Sequence, residues 1–320
     1  MKILEVVKDA KTIGISGHTR PDGDCVGATL GLYLYLKKYL PDATIHAFLE
    51  APPEIFNCLT GCDELITDFK SEIGSYDAFF ALDTNKDRLG KAEKLFERAA
   101  KKINIDHHVS NSGCGDINFI YPEITSTCEV IYGLLDSPEA LDVDIAKALY
   151  IGIIHDTGVF RFAGTTPRTL EISARLMEFG FDFAKLITDT YYEKSYLQNQ
   201  ILGRALLESI LMMDGRVIVS RLDRAALDFY GIESGDLEGI VNQLLITKGV
   251  ECAMFMHQTK NLEYKVSIRS KGIVDVSKVT RIFGGGGHVR AAGVTMKGTF
   301  HDITNNLSYY IAEQLRKNGN

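Results

Sequence analysis

Four short segments carry the residue types that metal or hydrolytic chemistry needs. His18-Thr-Arg-Pro-Asp22-Gly-Asp24 places an imidazole and two carboxylates in one short stretch, with Pro21 and Gly23 to shape a tight loop. Carboxylate with imidazole suits Mn²⁺ or a similar divalent ion better than the thiolate sets of structural zinc. The plainer reading is a helix N-terminus capped by Asp24 with His18 at the surface. Asp83 ends the apolar run Ala81-Leu82, where an Asp is more often a turn residue. Asp106-His107-His108 follows another apolar run. Neighbouring side chains there point in different directions, which gives His107 to a metal, Asp106 behind it to fix its tautomer, and His108 toward substrate. Ile154-His155-Asp156-Thr157-Gly158 sets a carboxylate at a helix C-terminus, where it opposes the dipole and a bound cation compensates for it. His155 reads equally as a packed or capping residue.

These segments need a scaffold that brings them together. Thr12–Ser16, Thr44–Leu49, Ala78–Leu82 and Lys102–Ile105 are short apolar runs of strand length, separated by helical stretches such as Val26–Leu40 and Lys91–Ala100. The alternation predicts parallel strands with crossover helices. Three of the runs end on polar clusters, at His18–Asp24, Asp83–Arg88 and Asp106–His108, and ligands of open α/β sheets bind outside the carboxyl ends of strands. Ser126–Asp136, Asp144–His155 and Thr169–Gly180 read as further helices, and Thr188–Arg204 as a helix-prone connector. A second pattern follows, with strands over Arg216–Leu222, Val250–His257 and Tyr264–Arg269, a helix over Leu237–Leu245 and another over Val276–Phe283.

That last helix runs into Gly284-Gly-Gly-Gly-His288-Val-Arg-Ala-Ala-Gly293. Consecutive glycines let a backbone approach a ligand closely, and successive N–H groups in such a loop can form an anion-binding nest over Gly285, Gly286 and Gly287. A dinucleotide fold is the rival use of such glycines, but here they follow a helix and not a strand.

The order His-x-x-x-Asp-x-Asp, Asp, Asp-His-His, Asp resembles the DHH superfamily of phosphoesterases, and the glycine cluster resembles the signature of its C-terminal DHHA1 domain. The resemblance spans essentially the whole chain and is strongest to the nano-RNase (oligoribonuclease) and pAp-phosphatase branch, where pAp is 3′-phosphoadenosine 5′-phosphate. It implies an α/β protein in which a parallel-sheet DHH domain (1–187) is joined by a helical linker (188–204) to a smaller α/β DHHA1 domain (205–320), with the active site in the cleft between them. It implies two Mn²⁺ ions, one held by His18 and Asp22, the other by Asp24, His107 and Asp156, with Asp83 bridging. Asp106 would stand behind the ligands and His108 would face the scissile phosphate. Two such ions about 3.5–4 Å apart stabilise both attacking and leaving oxygens of a phosphoryl displacement. In similar proteins an Arg-Ser pair and the His after the glycines grip a second phosphate, which maps to Arg269, Ser270 and His288. Arg88, Ser126 with Thr127, and Arg161 are further candidates for substrate contact, and Phe160 and Phe162 for base stacking; capping, surface pairing and core packing are their plainer readings.

Charge and composition narrow the partners. The 320 residues carry a net charge of −7, which taken whole argues against a general nucleic-acid or membrane coat. Residues 1–200 hold 20 basic and 30 acidic side chains, however, and 260–300 hold 8 basic and 2 acidic. A local basic patch fits short single-stranded RNA or DNA and pAp better than a long strand, which needs an extended basic track. No apolar run approaches the ~18 residues of a membrane span. The N-terminus shows no signal peptide, and the six cysteines form no Cys-x-x-Cys pair, so a cytoplasmic protein with reduced thiols is expected. A homodimer is one assembly open to it. The functional expectation is a Mn²⁺-dependent hydrolase of very short oligonucleotides and of pAp. The rival readings are a hydrolase of linear dinucleotides (pApA, pGpG) and a non-catalytic nucleotide-binding regulator.

Overall fold

The computed structural model describes residues 1–137, 141–232 and 234–318. The chain divides into two compact units, Met1–Glu193 and Lys194–Asn320.

In the first unit a short helix, Ile3–Val7 (α1), precedes five strands: Thr12–Ser16 (β1), Thr44–Phe48 (β2), Ala78–Leu82 (β3), Lys101–Asp106 (β4) and Ile117–Ile120 (β5). They form an all-parallel sheet in the order β2-β1-β3-β4-β5. The central β3 reads Ala-Phe-Phe-Ala-Leu and is buried at every position, as a strand covered on both faces must be. Phe48, Tyr76, Phe79 and Phe96 pack on one face. Ile13, Ile15, Phe80 and Leu82 join the larger core on the other. The polar clusters all begin where strands end, as expected, and β5 is not among the expected strands.

The helices of this unit are Gly23–Tyr39 (α2), Glu93–Arg98 (α3), Thr127–Leu134 (α4), Val143–Asp156 (α5), Pro167–Met177 (α6) and Phe183–Ile187 (α7). Helix α2 starts on an N-cap, but the capping side chain is Asp22, whose Oδ1 accepts from Cys25 N at 3.1 Å, and not Asp24. Two glycines let α2 and α5 approach closely: a Cβ on Gly27 would lie 2.5 Å from the Ala148 carbonyl, and one on Gly152 would lie 2.6 Å from Asp24 Oδ1. This contact sets the start of α2, with Asp24, near the end of α5, with Asp156. Thr188–Tyr192 closes the unit as a wide helical turn.

The second unit opens with Tyr196–Leu207 (α8), capped reciprocally by Ser195 and Gln198, so the expected connector is helical on both sides of the boundary. Strands Ile210–Met212 (β6) and Val217–Leu222 (β7) lead to the helices Arg224–Tyr230 (α9) and Ile240–Leu245 (α10). Cys252–Lys260 (β8) and Glu263–Ser270 (β9) follow, then Val276–Ile282 (α11), Gly286–His288 (β10), Ala291–Lys297 (β11) and Phe300–Asn318 (α12). The sheet order is β10-β11-β9-β8-β7-β6, antiparallel except between β7 and β8. One face is covered by α11 and α12, through Val276, Val279, Ile303, Leu307 and Ile311. The other is covered by α8, α9 and α10 over β7 and β8. Neither β11 nor α12 is among the expected elements, although Ile303, Leu307, Ile311 and Leu315 repeat at helical spacing. Among the described residues no helix is long and apolar enough to cross a membrane.

Candidate active site

Six side chains converge at the carboxyl edge of the first sheet. His18 follows β1 and is 4% exposed. Its Nε2 lies 3.7 Å from Asp22 Oδ1 and 3.4 Å from Asp83 Oδ2. Asp83 directly follows β3 in a left-handed conformation, φ +56°, that aspartate tolerates better than most residues, and its amide donates to the Ile105 carbonyl. Its other oxygen, Oδ1, lies 3.5 Å from His107 Nε2. Asp156 Oδ2 and Asp24 Oδ2 stand 3.0 and 3.9 Å from the same nitrogen. Asp83 therefore offers one oxygen to each of two groups, His18 with Asp22, and His107 with Asp24 and Asp156.

The electrostatics reflect crowded acids. Burial raises the Asp24 pKa well above its ordinary value, and the nearby charges of Asp83 and Asp156 push it further. Burial likewise raises Asp156 to about 6. Burial would lower both imidazoles, but carboxylates outweigh it: Asp22 and Asp83 bring His18 to about 10, and Asp156, Asp24 and Asp83 bring His107 to about 10. Asp22 is lowered to about 2 because its bond to His18 outweighs burial. The pocket draws positive charge wherever it can find it.

The protein has already paired several of these groups with its own donors, through residues outside the sequence motifs. Asp24 accepts from the amides of Thr127 (2.7 Å) and Cys128 (3.0 Å), at the N-terminus of α4. The Thr127 hydroxyl donates to Asp83 Oδ1 at 3.1 Å. Gly152 leaves the room that Asp24 occupies. Cys25 is fully buried with a ligand atom within 4.8 Å of His18 and Asp83.

The Asp106 expectation needs correction. Asp106 does not stand behind His107; its Oδ1 accepts from His108 Nδ1 at 2.7 Å and from the amides of His107 (2.7 Å) and His108 (3.1 Å). Asn111 donates to its Oδ2, and Asn104 holds Asn111 in turn. The bond from Asp106 raises the His108 pKa above its ordinary value. His107 Nδ1 instead faces the Ile124 carbonyl at 3.3 Å.

The remaining candidates of this unit are placed as follows. Ser126 is fully buried and caps α4, its hydroxyl accepting from Glu129 N, so its side chain faces no open space. Arg88 is exposed in a short turn, where its carbonyl accepts from Thr19 N. Arg161 is exposed, Phe162 is 50% exposed, and Phe160 packs on Tyr150. His155 is packed between Phe56 and Tyr191, and burial lowers its pKa to about 4.

In the second unit, Arg269 pairs with Ala291 across β9 and β11, and Ala291 pairs with His288 across β11 and β10. Paired residues share a face, so Arg269 and His288 flank the small Ala291 on one side of the sheet. Ser270 is the next residue of the strand and points to the other side. It is buried, and its hydroxyl accepts from Gly272 N and lies 3.4 Å from Glu251 Oε1. The glycines differ from expectation as well: Gly286–His288 is an edge strand rather than a nest. A Cβ on Gly285 or Gly287 would collide with β11 backbone, at Gly293 and Ala291, while Gly286 faces open space.

The chain belongs to the DHH family of phosphoesterases, and imidazoles and carboxylates able to hold metal ions converge at the carboxyl edge of its parallel sheet. Residues 12–153 match the DHH family, N-terminal domain, and residues 214–313 match the DHHA1 domain. The chain is 31% identical over 300 residues to the bifunctional oligoribonuclease and PAP phosphatase NrnA of Thermus thermophilus, covering 92% of this chain and 88% of that protein. It is 26% identical over 302 residues to the protein of the same name in Bacillus subtilis, covering 92% of each. Its fold is also that of an exopolyphosphatase-related protein from Bacteroides fragilis, with a TM-score of 0.90 at 24% identity over 99% of this chain and 96% of the other.

Proposed function

We propose that the protein is a Mn²⁺-dependent hydrolase that shortens very short oligonucleotides to nucleoside 5′-monophosphates and removes the 3′-phosphate of pAp. The observation that carries this reading is the Asp83 carboxylate, with one oxygen 3.4 Å from His18 and the other 3.5 Å from His107. The names of its relatives, oligoribonuclease and PAP phosphatase, support the choice of substrate.

The residues present fit divalent cations. His107 Nε2 is buried without a well-formed hydrogen bond although three carboxylates surround it. The donors are carboxylate oxygens and imidazole nitrogens, a set suited to Mn²⁺. His18, Asp22 and Asp83 would hold one ion; Asp24, His107, Asp156 and the second oxygen of Asp83 would hold the other. Such ions supply positive charge to a phosphoryl group and make water nucleophilic at neutral pH. The chain's own contribution is orientation and proton supply. Backbone amides of α4 and the Thr127 hydroxyl hold Asp24 and Asp83 in place. Asp106 keeps a proton on His108 Nδ1 and favours the imidazolium, so Nε2 can donate to the leaving oxygen or the phosphoryl group. In the second unit Arg269 and His288, on one rung of the sheet, grip a second phosphate, with Arg a suitable bidentate partner.

The test is a substrate panel with Mn²⁺: pAp, dinucleotides, an RNA pentanucleotide, long single-stranded DNA and pyrophosphate. Turnover of the first three is expected. Preference for long DNA or pyrophosphate overturns the reading, turnover of pApA and pGpG alone replaces it with linear-dinucleotide hydrolysis, and no turnover leaves a nucleotide-binding regulator.

A further inference from the structure

His155 stands beside both carboxylate groups of the first unit and is a member of neither. It lies on the last turn of α5, one residue before Asp156. Its ring presses on Gly23, the residue that separates Asp22 from Asp24: a Cβ there would fall 2.2 Å from His155 Cγ and 2.6 Å from its Nδ1. Two aromatic rings hold the imidazole from other sides, Phe56 at 5.2 Å and Tyr191 at 5.4 Å between centroids. Its Nε2 lies 3.3 Å from the Thr190 hydroxyl, which gives its one proton to the Leu186 carbonyl at 2.8 Å. Nε2 must therefore be the donor, and that bond fixes both the tautomer and the turn of the ring.

The two acids on either side of Gly23 are held unequally. Asp24 is 1% exposed, and two amides of α4 fix its carboxylate from outside its own helix. The Asp22 side chain is 60% exposed and is anchored within its own turn, by the Cys25 amide. A displacement of Gly23 would thus carry Asp22 with it and leave Asp24 in place.

We propose that His155 is a positioning residue for the first cation site: its locked ring holds Gly23, and through it Asp22, at a fixed reach from His18 and Asp83. The proposal rests on the two-cation reading above and adds to it a residue that acts through the backbone. The ring meets Phe56, Tyr191 and Gly23, so its shape rather than its charge does the holding. Gly23 is part of the same device. It opens α2, where alanine would favour the helix more than glycine does, but a methyl group there would strike the ring.

The experiment titrates metal-free wild-type, H155A, H155F and G23A proteins with Mn²⁺. Electron paramagnetic resonance follows both free Mn²⁺ and the spectrum of spin-coupled Mn²⁺ pairs, and melting temperatures are taken without metal. In H155A one of two sites should weaken by about tenfold or more, as when a residue that orients a metal ligand is lost, while the other stays within about threefold. The pair spectrum should fade at the Mn²⁺ concentration that saturates the wild-type protein. Combining H155A with D22N should weaken that site no further than D22N alone. H155F keeps a ring over Gly23 and should hold both sites near wild-type affinity, whereas G23A should weaken the same site as H155A. Both sites kept in H155A, both weakened equally, or H155F as impaired as H155A would each overturn the proposal. A lower melting temperature of H155A with both affinities kept would make His155 a packing residue only. Should H155A not fold, G23A decides, and two intact sites in it would overturn the proposal. Failure of the two-cation reading looks different, since the wild-type protein itself would then show no pair spectrum.

Discussion

In the first unit, acids and imidazoles from four separate segments, all but Asp22 at least partly buried, lie within 4 Å of a neighbour of opposite kind, and Asp24 and Asp83 are held by backbone amides and a threonine hydroxyl. In the second, Arg269, Ser267 and Lys265 share one face of the sheet and are half-buried or exposed. Burial makes the difference. Like charges brought together out of water are costly unless something of opposite sign arrives, so the first site is built to need cations and to respond to small changes almost all at once. Charges facing water are screened and act nearly independently, so the second surface should respond in graded, salt-dependent steps.

The sharpest break in that contrast comes from Asp83. D83N should abolish measurable Mn²⁺-dependent turnover, a loss of at least about 100-fold. Its effect on the melting temperature of the metal-free protein should be small, because relief of the repulsion with Asp24 is offset by loss of the attraction to His18 and His107. Mn²⁺ should raise the melting temperature of the wild-type protein but not that of D83N, since only binding to the folded state stabilises it. Activity retained by D83N would dissolve the assignment of one oxygen to each of two ions.

A second probe asks which histidine Asp106 serves. H108A should lower kcat by about 10²–10⁴-fold with Mn²⁺ affinity kept within a few-fold, as loss of a proton donor would. D106N should lower kcat by about 10–100-fold, and the double variant should be no worse than H108A alone. A large loss of Mn²⁺ affinity in D106N would return Asp106 to His107.

Smaller and more graded effects belong to the second unit. R269Q and H288A should each raise KM for pAp by about tenfold, the scale of one hydrogen bond to a charged group, with little change in kcat and with shallower salt dependence. S270A should leave KM for pAp unchanged, since its hydroxyl is turned inward to Gly272 and Glu251. An S270A effect as large as that of R269Q would contradict the strand alternation.

The smallest effect is on stability. Burial, with Lys265 nearby, lowers the His257 pKa from 6.5 to about 4, and its Nε2 is buried without a partner. The folded pKa is below the unfolded one, so the neutral ring's contribution is fully present above pH 6.5 and is lost as pH falls toward 4. Urea unfolding of the second unit's signal should weaken over that window. H257Q should flatten this part of the profile, whereas an unchanged slope would show that His257 does not titrate there.

Much of the first unit is legible because its signals are local. The runs at Thr12–Ser16 and Ala78–Leu82 are the strands β1 and β3 to the residue. His18, Asp83 and His107 lie just beyond strand ends, where the fold class itself locates a site. Position along the chain does not say which way a side chain turns. Asp106 pairs with His108 and not with His107 because the chain bends after β4 and presents two amides and one ring to the same oxygen. Gly152 reads in the sequence like any helical glycine; its role emerges only when α2 lies against α5 and a Cβ would fall on Asp24. Ser270 departs from expectation for the opposite reason, since an Arg-Ser pair on a strand must split between two faces.

The sequence by itself determined the chemistry available: the number and kind of carboxylates and imidazoles, their positions at the ends of buried strands, and a basic segment over 260–300. Those follow from residue type and short-range periodicity, which chain order preserves. Only the tertiary structure decided the partnerships. It gave each oxygen of Asp83 to a different histidine, tied Asp24 to the amides of α4, and set Arg269, Ser267 and Lys265 on one face of the second sheet. Contacts between residues tens of positions apart depend on helix packing and strand register, and a shift of one residue in register would have turned those side chains into the core.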